Sequence, residues 1–221
     1  MAYNIAIDGP AGSGKGSVAK EIAKRKGFLY IDTGAMFRAL AVHFLEKGLK
    51  STDTASIIAA LADADVTIGF KDGMQKVFLN GEDVDSKLRN EDVGNMASAT
   101  SVIPQVRAKL LELQRNLAKN ENCVMEGRDI TTVVLPDADL KIYLTADPKV
   151  RARRRYKELR EKNIACKYGE VLRDINARDD RDMNREIAPL RVADDAILID
   201  SSMLSIEEVV DLVLENVKCP K

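Results

Sequence analysis

The chain has no tryptophan, one histidine and three cysteines in 221 residues. With His43 alone, a histidine-based catalytic triad and a multi-histidine metal centre are excluded. Cys123, Cys166 and Cys219 are odd in number and widely separated. That pattern suits neither a disulfide framework nor a zinc site, and fits free thiols in a reducing cytosol. No stretch approaches the roughly 20 apolar residues of a membrane-spanning helix. The opening residues lack a basic segment and a long apolar run, so no signal peptide is expected. Charge of one sign is missing too: 34 Lys and Arg stand against 35 Asp and Glu, a net charge of −1. A disordered polyelectrolyte or a basic coat for nucleic acid is thereby ruled out. Chemistry must come from carboxylates, arginines, lysines, hydroxyls or a bound metal.

What is present is enough for a full core, with 45% hydrophobic residues in a chain the size of one large domain. Short apolar runs alternate with helical patterns. Strands are expected at Asn4–Asp8, Phe28–Ile31, Cys123–Glu126, Leu140–Leu144 and Ala196–Ile199. Helices are expected after Lys15 (stopped by Gly27), from about Ala35 to Lys47, and from Ser51 as cap to about Ala62. Further helical patterns run from about Glu91 to Lys119 with a break near Pro104, from Pro148 to Lys162, and from Gly169 to Arg185. A last helix, capped by Ser205, carries Ile206, Val209, Val210, Val213 and Val217 on one face. Between Val66 and Val84 the period changes to two, with turns at Lys71-Asp72-Gly73 and Asn80-Gly81, which reads as antiparallel hairpins inserted beside the core. Strands alternating with helices argue for a parallel sheet covered on both faces.

Gly9-Pro10-Ala11-Gly12-Ser13-Gly14-Lys15 fits the G-x-x-x-x-G-K loop between a strand and a helix. Glycines let successive N–H groups face inward as an anion nest, and the helix that follows adds its free N–H groups and positive dipole end. Lys15 adds a mobile charge for the terminal phosphates, so the loop is expected to bind a nucleoside triphosphate. The pattern ordinarily places a Mg²⁺-binding hydroxyl directly after the lysine. Here Gly16 intervenes, and Ser17 takes that role provisionally.

Three other features point to a second anionic substrate. Asp32-Thr33-Gly34-Ala35-Met36-Phe37-Arg38 and Glu126-Gly127-Arg128-Asp129 both fall at strand ends, where open α/β sheets bind ligands. Of 16 arginines, 10 lie between Arg151 and Arg191. Arg178, Arg181, Asp182 and Arg185 share one helix face, as do Arg151, Arg154 and Arg155 one helix earlier. A solvated surface paired with Asp179, Asp180, Glu158 and Glu161 would also account for these runs. After a phosphate loop, however, two arginine-rich helices read as a closing lid.

The glycine loop through Ser17, Asp32-Thr33-Gly34-Ala35, Gly127-Arg128-Asp129, Arg178-Asp179-Asp180-Arg181-Asp182 with Ala188-Pro189-Leu190, and Asp200-Ser201-Ser202 together resemble the bacterial cytidylate kinase family, nearly end to end. The resemblance implies an α/β P-loop NTPase fold with five parallel strands flanked by helices, a small antiparallel-sheet monophosphate-binding insertion and a helical lid. It implies a single kinase domain over 1–221, divided into a core (1–33, 101–150 and 186–221), a monophosphate-binding region (34–100) and a lid with its adjoining arginine-rich helix (151–185). The implied reaction is transfer of the ATP γ-phosphoryl group to CMP or dCMP with Mg²⁺, in a cytoplasmic monomer that binds neither nucleic acid nor membrane.

Position by position, the resemblance implies that Gly9 to Ser17 bind ATP, and that Lys15, Arg128, Arg154 and Arg185 serve catalysis. Arg38, Arg128 and Arg185 would hold the CMP phosphate, Thr33, Arg107 and Asp129 would read cytosine, and Ser98, Arg178 and Asp182 would hold the sugar. Cytosine carries an exocyclic amine where uracil has a carbonyl, so the Asp129 carboxylate would accept from one and repel the other. Two other readings stay open from sequence: a P-loop kinase for another monophosphate, of the UMP/CMP type, and a nucleotide-dependent switch. Against the switch, the chain has no Asn-Lys-x-Asp guanine-reading motif.

Overall fold

The computed structural model describes residues 2–71 and 74–218. Its centre is a five-stranded, all-parallel sheet of β1 (Asn4–Asp8), β2 (Leu29–Asp32), β6 (Cys123–Gly127), β7 (Leu140–Thr145) and β8 (Ile197–Asp200), in the order β2-β6-β1-β7-β8. The middle strands are buried on both faces, which is why they read as unbroken apolar runs. Register matters for function. Asp8 lies opposite Gly127 and Tyr143, and Asp32 opposite Glu126, so the carboxyl ends of β1, β2, β6 and β7 reach one edge together.

Helix α1 (Lys15–Lys26) buries Val18, Ala19, Ile22 and Ala23 on one side of the sheet, beside α8 (Ile206–Leu214). Gly27 ends α1 with φ 65°, a conformation glycine adopts without steric cost. On the other side lie α2 (Thr33–Glu46), α4 (Glu91–Thr100) and α5 (Pro104–Asn120). Pro104 opens α5 at its first position, the place in a helix where a missing N–H costs nothing.

Three local expectations need correction. Helix α2 begins at Thr33 rather than near Ala35, because the Asp32 carboxylate caps it by accepting from Ala35 N–H at 3.0 Å. The short helix α3 (Thr54–Ala60) is capped by Asp53, not Ser51. The apolar stripe of α8 is narrower than expected: Val209, Val210 and Val213 are buried, Ile206 is 49% exposed, and Val217 lies past the helix end. A single π-helical turn at Ile130–Val134 had no signature in the sequence.

The hairpin region forms a separate three-stranded antiparallel sheet, β3 (Val66–Lys71), β4 (Met74–Leu79) and β5 (Glu82–Asp83). Asn80 and Gly81 both have positive φ, as a tight hairpin turn requires. The turn expected at Asp72-Gly73 lies outside the described residues. Val66, Val77 and Leu79 join the same apolar cluster as Ala6 and Ile31, so this sheet shares the main core. Helices α6 (Pro148–Glu161) and α7 (Tyr168–Asn184) instead pack on each other around Ala152, Val171 and Ile175. Cys123 and Cys166 are free thiols; Cys219 lies outside the described residues. Burial pushes the Cys123 thiol up to about 12. His43 is buried, with Nε2 against the Ala60 carbonyl and Asp63, a structural pairing away from the strand ends. Among the described residues no helix is long and apolar enough to cross a membrane.

Candidate active site

The glycine loop leaves β1 at Asp8. At Gly9 a Cβ would lie 2.0 Å from the Leu144 carbonyl oxygen, so only glycine lets the chain turn against β7. Gly12 and Gly14 have φ of 77° and 92°, and Gly14 caps α1. Lys15 folds back over the loop, its Nζ donating to the Pro10 carbonyl at 3.3 Å and standing 3.9 Å from Glu126 Oε2. Burial and the neighbouring Arg128 hold the Lys15 ammonium below the usual lysine range, with Glu126 opposing them.

Glu126 explains the Gly16 departure. A Cβ at position 16 would lie 2.7 Å from Glu126 Oε1, which also accepts from the Tyr30 hydroxyl at 2.5 Å. The space that a serine or threonine would need is therefore filled by a carboxylate from β6. Burial raises the Glu126 carboxyl above its ordinary value, with the Asp32 charge adding to the rise. Ser17, one position further round the helix, is exposed.

The turn after β6 is anchored by Asp8. This fully buried carboxylate accepts from Ile130 N–H (2.9 Å), Thr131 N–H (2.7 Å) and the Thr131 hydroxyl (2.7 Å). Burial lifts its pKa to about 6, against the three hydrogen bonds. One residue thus begins the glycine loop and fixes the turn that presents Arg128 and Asp129. Gly127 permits that turn because Thr33 Oγ1 and the Ile130 side chain would lie 2.7 Å from a Cβ there. Thr33 donates to the Glu126 carbonyl at 2.8 Å.

Asp129 is bracketed by two cations, hydrogen-bonded by Arg107 and 3.6 Å from Arg185 Nη2. Arg107 also lies over the Phe37 ring and donates to the Ser101 carbonyl. Arg128 Nε meets Asp182 Oδ2 at 2.7 Å. Burial alone would raise the Asp182 carboxyl; Arg128 overrides it and holds the group below the usual carboxylate range. Arg38 pairs with Asp32 at 2.7 Å. Burial, then crowding by Arg128, pushes the Arg178 guanidinium down to about 10, still charged at neutral pH.

The strand-end crevice therefore gathers Lys15, Thr33, Arg38, Arg107, Arg128, Asp129, Arg178, Asp182 and Arg185. Six buried polar side-chain atoms among the described residues make no hydrogen bond; Ser13 Oγ lies in the glycine loop, Arg178 Nε and Arg185 Nη2 belong to the arginines gathered here, and Ser98 Oγ is on α4. Buried donors of this kind carry a desolvation cost unless something accepts from them, and guanidinium groups suit phosphate oxygens. The arrangement can hold two anions facing each other, one on main-chain amides and one on arginines.

The arginine helices divide their faces unevenly. Arg154 donates to the Ser13 carbonyl (3.4 Å) and to Ser201 Oγ (3.1 Å) and carbonyl (2.6 Å), so it sits on the glycine loop. Arg151, 3% exposed, reaches the Ala11 and Ala146 carbonyls and pairs with Asp179 at 2.7 Å. Arg155 and Arg181 face solvent, Arg155 paired with Glu158. Asp179 is thus a buried link between α6 and α7 rather than part of a solvated surface. Asp8 and Tyr30 are groups the sequence reading did not place in the site, and it put Glu126 at a strand end and Arg151 on the arginine face without an individual role for either. An acid closing the apolar β1 run was the available signal for Asp8; Arg151 had none that set it apart from its neighbours.

The cytidylate kinase family model matches residues 5–219. The chain is 50% identical over 212 residues to a cytidylate kinase of Caldicellulosiruptor saccharolyticus, covering 96% of this chain and 94% of that one. It is 46% identical over 214 residues to a cytidylate kinase of Streptococcus agalactiae, covering 96% and 94%. Among solved structures, an uncharacterized protein from Eubacterium ventriosum shares the fold, with TM-score 0.55 at 12% identity over 99% of both chains.

Proposed function

The chain belongs to the cytidylate kinase family, and on that premise we propose that it transfers the γ-phosphoryl group of ATP to CMP or dCMP, releasing ADP and CDP or dCDP. The observation that carries this reading is the gathering of Arg38, Arg128, Arg178 and Arg185 at the strand ends beside Lys15, with Arg178 Nε and Arg185 Nη2 buried and making no hydrogen bond. Gly9 to Ser17 would cradle the triphosphate, with Lys15 on its terminal oxygens. Arg38, Arg128 and Arg185 would hold the acceptor phosphate. Thr33, Arg107 and Asp129 would read the base, and Ser98, Arg178 and Asp182 the sugar.

An acceptor phosphate oxygen attacks the γ-phosphorus in line, and the bond to the β,γ-bridging oxygen breaks as ADP leaves. The acceptor phosphate is already an adequate nucleophile at neutral pH, so no general base is needed, and His43 is placed too far into the α2 packing to act as a carrier. Catalysis then comes from alignment and charge neutralisation by Lys15 and the arginines, with Arg154 beside the loop. No cluster of three His, Cys, Asp or Glu exists among the described residues. That is compatible with Mg²⁺, which binds through one or two carboxylates and substrate phosphates. Glu126, facing Gly16, supports a place beside the ion better than the exposed Ser17. Bound there, the ion would neutralise charge on the phosphates.

We assign residues 34–100 to acceptor binding and 151–185 to a lid that excludes water, in a cytoplasmic monomer. A coupled assay of ADP release across CMP, dCMP, UMP, AMP and GMP tests the reading. CMP and dCMP are expected to lead by at least about tenfold; a preference for AMP or GMP would overturn it.

A further inference from the structure

Gln75 shares one face of β4 with Val77 and Leu79, at the two-residue spacing of a strand. Val77 and Leu79 are buried in the main core, while Gln75 is the polar member of that face. Its side-chain amide accepts from the Asp32 N–H at 2.7 Å and donates to the Asp32 carbonyl at 3.2 Å. Asp32 is the last residue of β2, which is an outer strand of the five-stranded sheet. One side chain thus makes both bonds that an opposed residue of an added antiparallel strand would make. Among the described residues, these are the hydrogen bonds that join β3–β5 to the parallel sheet.

We propose that Gln75 is the positioning residue that docks the antiparallel sheet against β2 and thereby sets affinity for the acceptor nucleotide. The inference rests on the acceptor reading above. Asp32 is held from two directions: Gln75 grips its main chain, and its carboxylate grips Ala35 N–H and Arg38 Nη2. A shift of β4 is therefore passed through Asp32 to the start of α2 and to the guanidinium assigned to the acceptor phosphate. Thr33, assigned to the base, is the next residue along. The glycine loop is reached from Asp32 only at one remove, through Thr33 Oγ1 and Glu126 beside Lys15, so the larger effect falls on the acceptor.

The test is steady-state kinetics of the full chain, with CMP and ATP varied separately, for Gln75→Met and Gln75→Glu. Gln75→Met keeps length and apolar contact but removes both bonds. Gln75→Glu keeps the side-chain shape and an acceptor for the Asp32 N–H but loses the donor to the carbonyl, and serves as the second reading of the same contact should the first variant fail to fold. Both are expected to raise KM for CMP, Gln75→Met by about tenfold, with KM for ATP changed less than about twofold. An unchanged KM for CMP in both variants, or parallel rises for CMP and ATP, overturns the role. Wild-type protein that does not phosphorylate CMP overturns the acceptor reading itself, whereas active wild type with unaltered variants overturns Gln75 alone.

Discussion

Arg128 and Asp182, 54 positions apart in the chain, meet at 2.7 Å and join the turn after β6 to the inner face of α7. Both are largely buried, and Arg178 and Arg185 stand close enough to act on the same carboxylate. Asp182→Ala would leave three guanidinium groups crowded without their shared counter-charge. Removing one partner of a buried pair costs about 3–5 kcal/mol. Denaturant unfolding is expected to show a loss of that order. The same variant should discriminate less between CMP and dCMP, measured as the ratio of their kcat/KM values.

Lys15→Ala should lower kcat by about 10²–10³-fold, the usual effect of losing a charge that acts on the transition state. KM for CMP should hardly move, since the acceptor is assigned to other cations. Near-normal turnover would remove Lys15 from the mechanism.

Asp129→Ala is expected to narrow the preference for CMP over UMP by about tenfold or more, because a buried carboxylate that accepts from an amine rejects a carbonyl by about 1–3 kcal/mol. The decisive quantity is the ratio of kcat/KM for the two nucleotides. A constant ratio would move base reading to another group.

Asp8 gives the protein a component of stability that is present in acid and lost toward neutral pH. Its folded pKa is raised from 3.8 to about 6, so the folded state holds this proton more tightly than the unfolded chain. The associated stabilisation, about 3 kcal/mol, is complete below about pH 4 and is lost as pH rises through 6. Asp8→Asn stays neutral throughout. Relative to wild type it should therefore gain about that amount between pH 4 and pH 7, read by unfolding at each pH; a difference that does not vary with pH would contradict the assignment.

Gly16→Ala inverts a familiar rule. Alanine in a helix is ordinarily better than glycine by about 1 kcal/mol. Here the new methyl would press on the Glu126 carboxylate, which Tyr30 and Lys15 hold in place. Thermal unfolding should show no gain, and kcat should fall with the displaced Lys15.

Much of this architecture was legible where two signals coincide. The β1–loop–α1 unit combined an apolar run, glycines and a change of period, and Pro104 marked the break between α4 and α5. Misreadings arose where neighbouring residues offered the same chemistry. Ser51 and Asp53 can both cap a helix, and only the fold shows Asp53 aimed at Ser56 N–H. Asp32 read as a strand end and is also a cap. Charge was the hardest to read. Arg151 and Arg155 look alike in an arginine-rich helix, yet one is buried on the Ala11 carbonyl and the other is exposed. The polar Gln75 interrupts an apolar alternation, a signal that gains meaning only once β2 is known to be an outer strand.

The grip of Arg151 and Arg154 on the carbonyls of Ala11 and Ser13 has a consequence for movement. Helix α6 is riveted at its amino end to the loop it would cover, so it cannot swing away as a rigid flap from residue 151. Helix α7 is tied to that fixed end by the Arg151–Asp179 pair, and the Lys162–Lys167 connection between the two helices holds Asn163 at a left-handed φ of 56°. Amide exchange should accordingly be slow through the first two turns of α6 and fast past its carboxyl end.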